Sequence, residues 1–114
     1  LEDCVFCKIA EGRIPAKTVY EDESVLAFHD MAPKAPVHVL VIPKRHAENI
    51  LAARALDDSS LAHLFRTVAE VAARLGLDKT GFRVISNCGA DACQEVGHLH
   101  IHILGGKKLS PKID

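Results

Sequence analysis

The chain lacks an excess of charge of either sign: 14 lysines and arginines face 15 aspartates and glutamates, for a formal net charge of −1. That near balance argues against a protein whose main work is coating nucleic acid or an anionic membrane, since both tasks need surplus cations. No apolar run is long enough to cross a bilayer, and the first residues lack the basic-then-apolar pattern of a secretion signal. A cytoplasmic setting is therefore expected. There Cys4, Cys7, Cys88 and Cys93 are expected as thiols or metal ligands rather than disulfides. Internal repeats, low-complexity tracts and linkers are absent as well, so residues 1–114 read as one domain. Its 48% apolar and 25% charged residues suit a packed core. Against these absences stand seven histidines, a large number for so short a chain.

Local patterning predicts a short helix over Cys4–Glu11, ended by Gly12 and blocked by Pro15. Thr18–Glu21 and Val25–His29 read as a hairpin around Asp22-Glu23-Ser24. Pro33 and Pro36 force an extended loop, and the β-branched run Val37–Ile42 forms a strand that stops at Pro43. His46–Leu56 is a weaker helical segment. A long helix is predicted over Ser60–Leu75, where Leu61, Leu64, Phe65, Val68, Val71, Ala72 and Leu75 form one apolar stripe. Asp57, Asp58 and Ser59 offer capping oxygens at its start, and Gly76 a stop. Gly81–Ser86 and His98–Leu104 complete five strands, the last closed by Gly105-Gly106. Grouped strands with one long helix between them indicate an α+β fold with a mainly antiparallel sheet.

In the last strand His98, His100 and His102 alternate with Leu99, Ile101 and Ile103. Strand geometry puts the three aliphatic side chains in a core and the three imidazoles in a row on the opposite face. Such a row can be merely solvated, can bind metal, or can divide its labour. Neighbouring rings, about 6–7 Å apart at Cα, can share one zinc, but His98 and His102 are about 13 Å apart on a straight strand. One ion cannot collect all three, so the three need different jobs. Cys4-Val5-Phe6-Cys7 is a lone C-x-x-C pair, open to zinc, redox and chance readings. No second pair exists to complete a zinc ribbon, and the strand-then-helix setting of a thioredoxin-type centre is missing.

The run His98–Leu104 resembles the H-φ-H-φ-H-φ-φ signature of the histidine-triad superfamily, φ being apolar. The likeness continues through Phe28-His29-Asp30, Ala35-Pro36-Val37-His38, Val41-Ile42-Pro43-Lys44 and Asn87-Cys88-Gly89, and covers residues 3–106. The chain as a whole is similar to the Hint branch, small hydrolases of nucleoside phosphoramidates. This resemblance implies an α+β homodimer whose sheets join across the interface, acting on a purine nucleotide substrate such as an AMP or GMP derivative. It implies that His100 is the nucleophile toward the α-phosphate, with His102 and His38 as donors to the phosphate oxygens. Asp30 then binds the ribose hydroxyls and Asn87 serves the phosphate. Gln94, Val96 and Gly89 belong to the covering loop, and Phe28 and Ile9 are candidates for the base pocket. Some members also hold structural zinc through an N-terminal cysteine pair, here Cys4 and Cys7 with His46 and His98.

Several positions depart from the family's pattern. The Trp-Pro-Pro-Gly ending of many Hint proteins is replaced by Lys107–Asp114, and the chain has no tryptophan. Glu95 stands where Ser or Thr is common, Ala92 and Cys93 replace glycines, and Gly97 replaces a common Tyr. The competing activities within the superfamily are dinucleoside polyphosphate hydrolysis and nucleotidyl transfer. Outside it stands a zinc-stabilised binding module with incidental hydrolysis. Cys88 and Cys93 are expected as small buried side chains, and His29 and His63 as solvated ones.

Overall fold

A computed structural model describes residues 1–113. It is an α+β fold in which helices α1 (Val5–Ala10) and α2 (Asp58–Arg74) flank a five-stranded sheet. The strands are β1 (Thr18–Glu21), β2 (Val25–His29), β3 (Val37–Pro43), β4 (Phe82–Ile85) and β5 (Ile101–Gly105). Every pairing is antiparallel, in the order β1-β2-β3-β5-β4. Short 3-10 turns lie at Ala52–Ala55 and Ala90–Ala92. No described helix is long and apolar enough to cross a membrane.

The central strands β2, β3 and β5 are covered on both faces, and the period of two divides their residues cleanly. Val25 and Ala27, Val39 and Val41, and Ile101 and Ile103 share one cluster with Leu64, Val68, Val71 and Ala72 of α2. Leu26, Phe28, Leu40 and Ile42 face the other way and pack with Phe6 of α1. His38 and His102 stand on this second face. β3 pairs His38 with Leu104 and Leu40 with His102, so the two histidines are diagonal neighbours across the strand pair.

α2 begins two residues earlier than the pattern predicts. Asp57 is its N-cap, accepting from the Ser60 N–H, and Asp58 adds negative charge in the first turn. Phe65 lies on the predicted stripe but is exposed, because the stripe is wider than the surface the sheet offers. The helix expected over His46–Leu56 shrinks to the single 3-10 turn. His63 is not simply solvated: its Nε2 lies 2.7 Å from Asp22 Oδ2. Asp22 also accepts from the Tyr20 hydroxyl and from the backbone N–H groups of Ser24 and Val25, tying the β1–β2 turn to α2. Its burial works against ionisation, but these hydrogen bonds outweigh it and hold the carboxyl well below the usual carboxylate range.

The β5 strand is shorter than predicted. It starts at Ile101, and His98–His100 lie outside the ladder. The Leu99 N–H donates instead to Ala47 O (2.6 Å), and His100 O accepts from the Ser86 hydroxyl (3.0 Å). At the strand's far end Gly106 has φ +89°, and a Cβ there would lie 3.0 Å from Pro36 Cβ, so both conformation and space require glycine.

Asp22→Ala is expected to lower stability at neutral pH by about 1–2 kcal/mol, allowing for the partial exposure of its partners. A carboxyl depressed in the folded state stabilises above its unfolded pKa of about 3.9, and that contribution fades as pH falls through the folded value. Denaturant midpoints of variant and parent should therefore converge in strong acid. A constant gap from neutral pH to strong acid would contradict the assignment.

Candidate functional site

The second sheet face and the segment before β5 build two adjacent clusters of histidines. In the first, Cys4, Cys7, His46 and His98 bring one donor atom each within 4.8 Å of the others. Cys4 caps α1, its Sγ accepting from the Cys7 N–H at 3.3 Å, so the capping turn itself sets the two sulfurs side by side. His98 is fully buried and its Nε2 donates to Pro43 O at 2.7 Å. Its Nδ1 therefore carries a lone pair. Around that nitrogen sit Cys4 Sγ at 3.2 Å, His46 Nδ1 at 3.2 Å and Cys7 Sγ at 3.5 Å, while Cys7 Sγ lies 3.3 Å from His46 Nδ1. Zn–S and Zn–N bonds of about 2.3 and 2.0 Å give tetrahedral donor–donor edges of about 3.3–3.8 Å, close to these separations. Burial pushes the Cys7 thiol up and the His98 imidazolium down. Without a cation Cys7 and His98 therefore favour their neutral forms, and a divalent ion would supply the charge that a thiolate needs. The donor set fits a metal ion.

The second cluster holds His38, His100 and His102. His100 Nδ1 donates to His98 O at 2.7 Å, leaving its Nε2 with the lone pair. The edge of Phe6 meets the His100 ring at 5.2 Å between centroids, nearly perpendicular, and holds it from the side. His38 Nδ1 accepts from the Lys34 N–H at 3.0 Å, so the proton of the neutral ring is on Nε2. That Nε2–H faces His102 Nδ1 at 2.9 Å, with Asp30 Oδ2 3.5 Å away. His102 then accepts at Nδ1 and carries its own proton on Nε2. Burial, with the neighbouring His100 and His38, pushes the His102 pKa down to about 4. Burial likewise lowers that of His38.

Asp30, His38 and His102 also bring three ligand-type atoms together. They fit a metal poorly. An ion on His38 Nε2 would displace its proton to Nδ1, where the Lys34 N–H already points. The two clusters thus divide the histidines by tautomer: His98 offers Nδ1 to the cysteines, His100 offers Nε2 and His102 presents an N–H.

A cavity of about 460 Å³ opens over the second cluster, lined by His38, His100 and His102 together with Asp30, Asn87 and Val96. The other expected site residues lie elsewhere. Phe28 is buried behind Phe6, and Ile9 packs on the same apolar cluster, so neither lines the cavity; Phe6 and Leu40 take that wall. The Gln94 amide is consumed by the loop. Its Oε1 accepts from the Gly89 N–H, and its Nε2 donates to Glu48 O and Val96 O. Gly89 has φ +84°, a turn conformation suited to glycine. The expectation of two buried thiols fails. Cys88 is half-buried, and Cys93 is exposed on the cavity wall in the left-handed region, φ 59°. Lys44 is paired with Glu21 at 2.7 Å. Phe6, Lys34 and Ser86 were not singled out in the sequence. Only Phe6 had a legible signal, as the large apolar residue inside the cysteine pair.

Comparison with known proteins finds that a HIT domain model matches residues 11–109. A HIT-like protein of Azospirillum brasilense is 50% identical over 111 residues, covering 96% of this chain and 90% of the relative. One from Synechococcus elongatus is 50% identical over 109 residues, covering 96% and 95%. Among solved structures, a histidine triad protein from Clostridium difficile aligns with a TM-score of 0.93 at 49% identity, covering 98% of this chain and 97% of that one. A HIT family hydrolase from Legionella pneumophila aligns at 0.91 and 41%, covering 96% and 97%. A histidine triad nucleotide-binding protein from Candida albicans aligns at 0.81 and 31%, covering 98% and 87%.

The hydrogen-bond chain makes a spectroscopic prediction. Long-range nitrogen–proton NMR should find His100 protonated at Nδ1 and His102 at Nε2, with His102 titrating near pH 4. Between about pH 6.5 and that midpoint the unfolded chain binds the extra proton, so His102 destabilises the fold as pH falls. A His102 midpoint near 6.5 would remove the burial that this geometry describes.

Proposed function

The chain belongs to the HIT-domain family, and from that premise we propose that it is a nucleotide-binding hydrolase of the Hint branch. It cleaves purine nucleoside phosphoramidates, and also aminoacyl-adenylates, in which a carboxylate replaces the amine as leaving group, to the nucleoside monophosphate. The observation that carries this reading is the pinned tautomer of His100. With Nδ1–H held by His98 O, the remaining nitrogen is an imidazole nucleophile on the cavity wall.

In the first step the Nε2 lone pair forms an N–P bond to the α-phosphorus as the bond to the leaving nitrogen breaks. The Nε2–H of His102 donates toward charge on the phosphate oxygens, while His38, whose own N–H is taken by His102 Nδ1, fixes the tautomer that presents that donor; lowered pKa values keep both rings neutral. In the second step water attacks the nucleotidyl-histidine and the bonding pair returns to Nε2. Over the cycle one water is consumed, its oxygen ending on phosphorus and one proton on the departing amine. Asp30 accepts from the ribose hydroxyls and Asn87 donates to the phosphate. Val96 walls the cavity, and Gln94 and Gly89 brace the loop around it. Phe6 and Leu40 replace Phe28 and Ile9 as apolar surface for the base.

Zinc is the proposed ion for Cys4, Cys7, His46 and His98, and when bound it is structural, joining α1 to the segment that carries His100. A homodimer is supported by the free edge of β4, where Phe82 and Val84 are exposed, and by exposed Phe65 on α2. The matches to a HIT family hydrolase and a histidine triad nucleotide-binding protein support the reaction class.

His100→Ala is expected to lower hydrolysis of adenosine 5′-phosphoramidate by at least about a thousandfold. AMP binding, followed by calorimetry, should stay within a few-fold of the parent. Turnover unchanged by the substitution would sink the assignment. Elemental analysis should find about one zinc per chain, falling sharply in Cys4→Ala; full metal content in that variant would show the ligand set to be wrong.

A further inference from the structure

Glu95 is a charged group of the catalytic cavity that the proposed reaction leaves unused. It lies on the wall of the catalytic cavity, and it also lies on the wall of a second cavity of about 460 Å³, next to Cys4 and His46. Only Glu95 and Val96 line both. The two cavities therefore meet at this pair. Asp30 and Lys34 line the catalytic cavity alone. A leaving group that departs from a phosphorus facing His100 toward the second cavity passes the shared wall of Glu95 and Val96.

We propose that Glu95 selects the leaving group by charge, favouring amines that carry an additional positive charge over those bearing a carboxylate or phosphate. This rests on the phosphoramidase reading and deepens it. Glu2 and Asp3 also line the second cavity, and neither a lysine nor an arginine does; Glu2 is paired with Arg13 at 3.4 Å, so the negative charge on that wall comes chiefly from Asp3 and Glu95. Because Glu95 is exposed, the effect is modest and salt-sensitive.

The test uses two adenosine 5′-phosphoramidates with the same P–N bond, one made from 1,3-diaminopropane and one from β-alanine. The parent protein should prefer the first in kcat/KM, roughly two- to fivefold at low salt, and the preference should shrink as salt is raised. Glu95→Gln should abolish it and Glu95→Lys reverse it, with both variants retaining turnover of the unsubstituted phosphoramidate. No preference in the parent, or the same preference in Glu95→Gln, would overturn the role of Glu95 while leaving the phosphoramidase reading intact. Hydrolysis of neither compound by the parent would overturn both.

Discussion

The hydrogen bond from His100 Nδ1 to the carbonyl of His98 is the constraint on which the rest of the site depends. It exists because the backbone leaves the sheet before Ile101. A carbonyl inside the ladder would be occupied by a neighbouring strand, whereas the carbonyl of His98 is free to take the imidazole two residues on. The same departure frees the His98 side chain to reach Cys4 and Cys7. One irregularity thus serves two sites. It fixes a lone pair on His100, and it couples the nucleophile's backbone to a cluster suited to metal.

Rigidity comes from the doubly covered centre of the sheet. β2, β3 and β5 are covered by α2 on one face and by Phe6 with its aliphatic neighbours on the other. His38 and His102 project from this frame rather than from loops, so their 2.9 Å contact is set by strand register. Burial has an electrostatic consequence. Removing His38 and His102 from water disfavours their charged forms, so the His102 N–H is a neutral donor rather than a cation. For an anionic substrate that arrangement favours chemistry over tight ground-state binding, since the donor gains most where charge develops.

Much of this was legible in the sequence, because its strongest signals are periodic. Alternation along residues 98–104 assigned the aliphatics to the core and the histidines to the other face, and the stripe on residues 61–75 assigned the long helix. The 13 Å separation of His98 and His102 on an ideal strand already required separate duties. What periodicity cannot show is where a strand stops pairing, and His98–His100 lie in that blind spot. It also could not separate Phe28, hidden behind Phe6, from a residue on the cavity wall, nor find Lys34, which acts through a backbone N–H that every non-proline residue possesses. Cys93 was misread because a small apolar side chain suggests burial, while its left-handed conformation and exposure follow from the loop.

The account stands on His100 Nε2 as the atom that takes the nucleotide. Rapid quenching of the protein with an adenosine phosphoramidate, followed by peptide mass spectrometry, tests this directly. An AMP adduct on the peptide containing His100, localised to that residue by fragmentation and absent from His100→Ala, is the predicted result. Active turnover with no adduct at any quench time, or an adduct on His38 or His102 instead, would contradict the account.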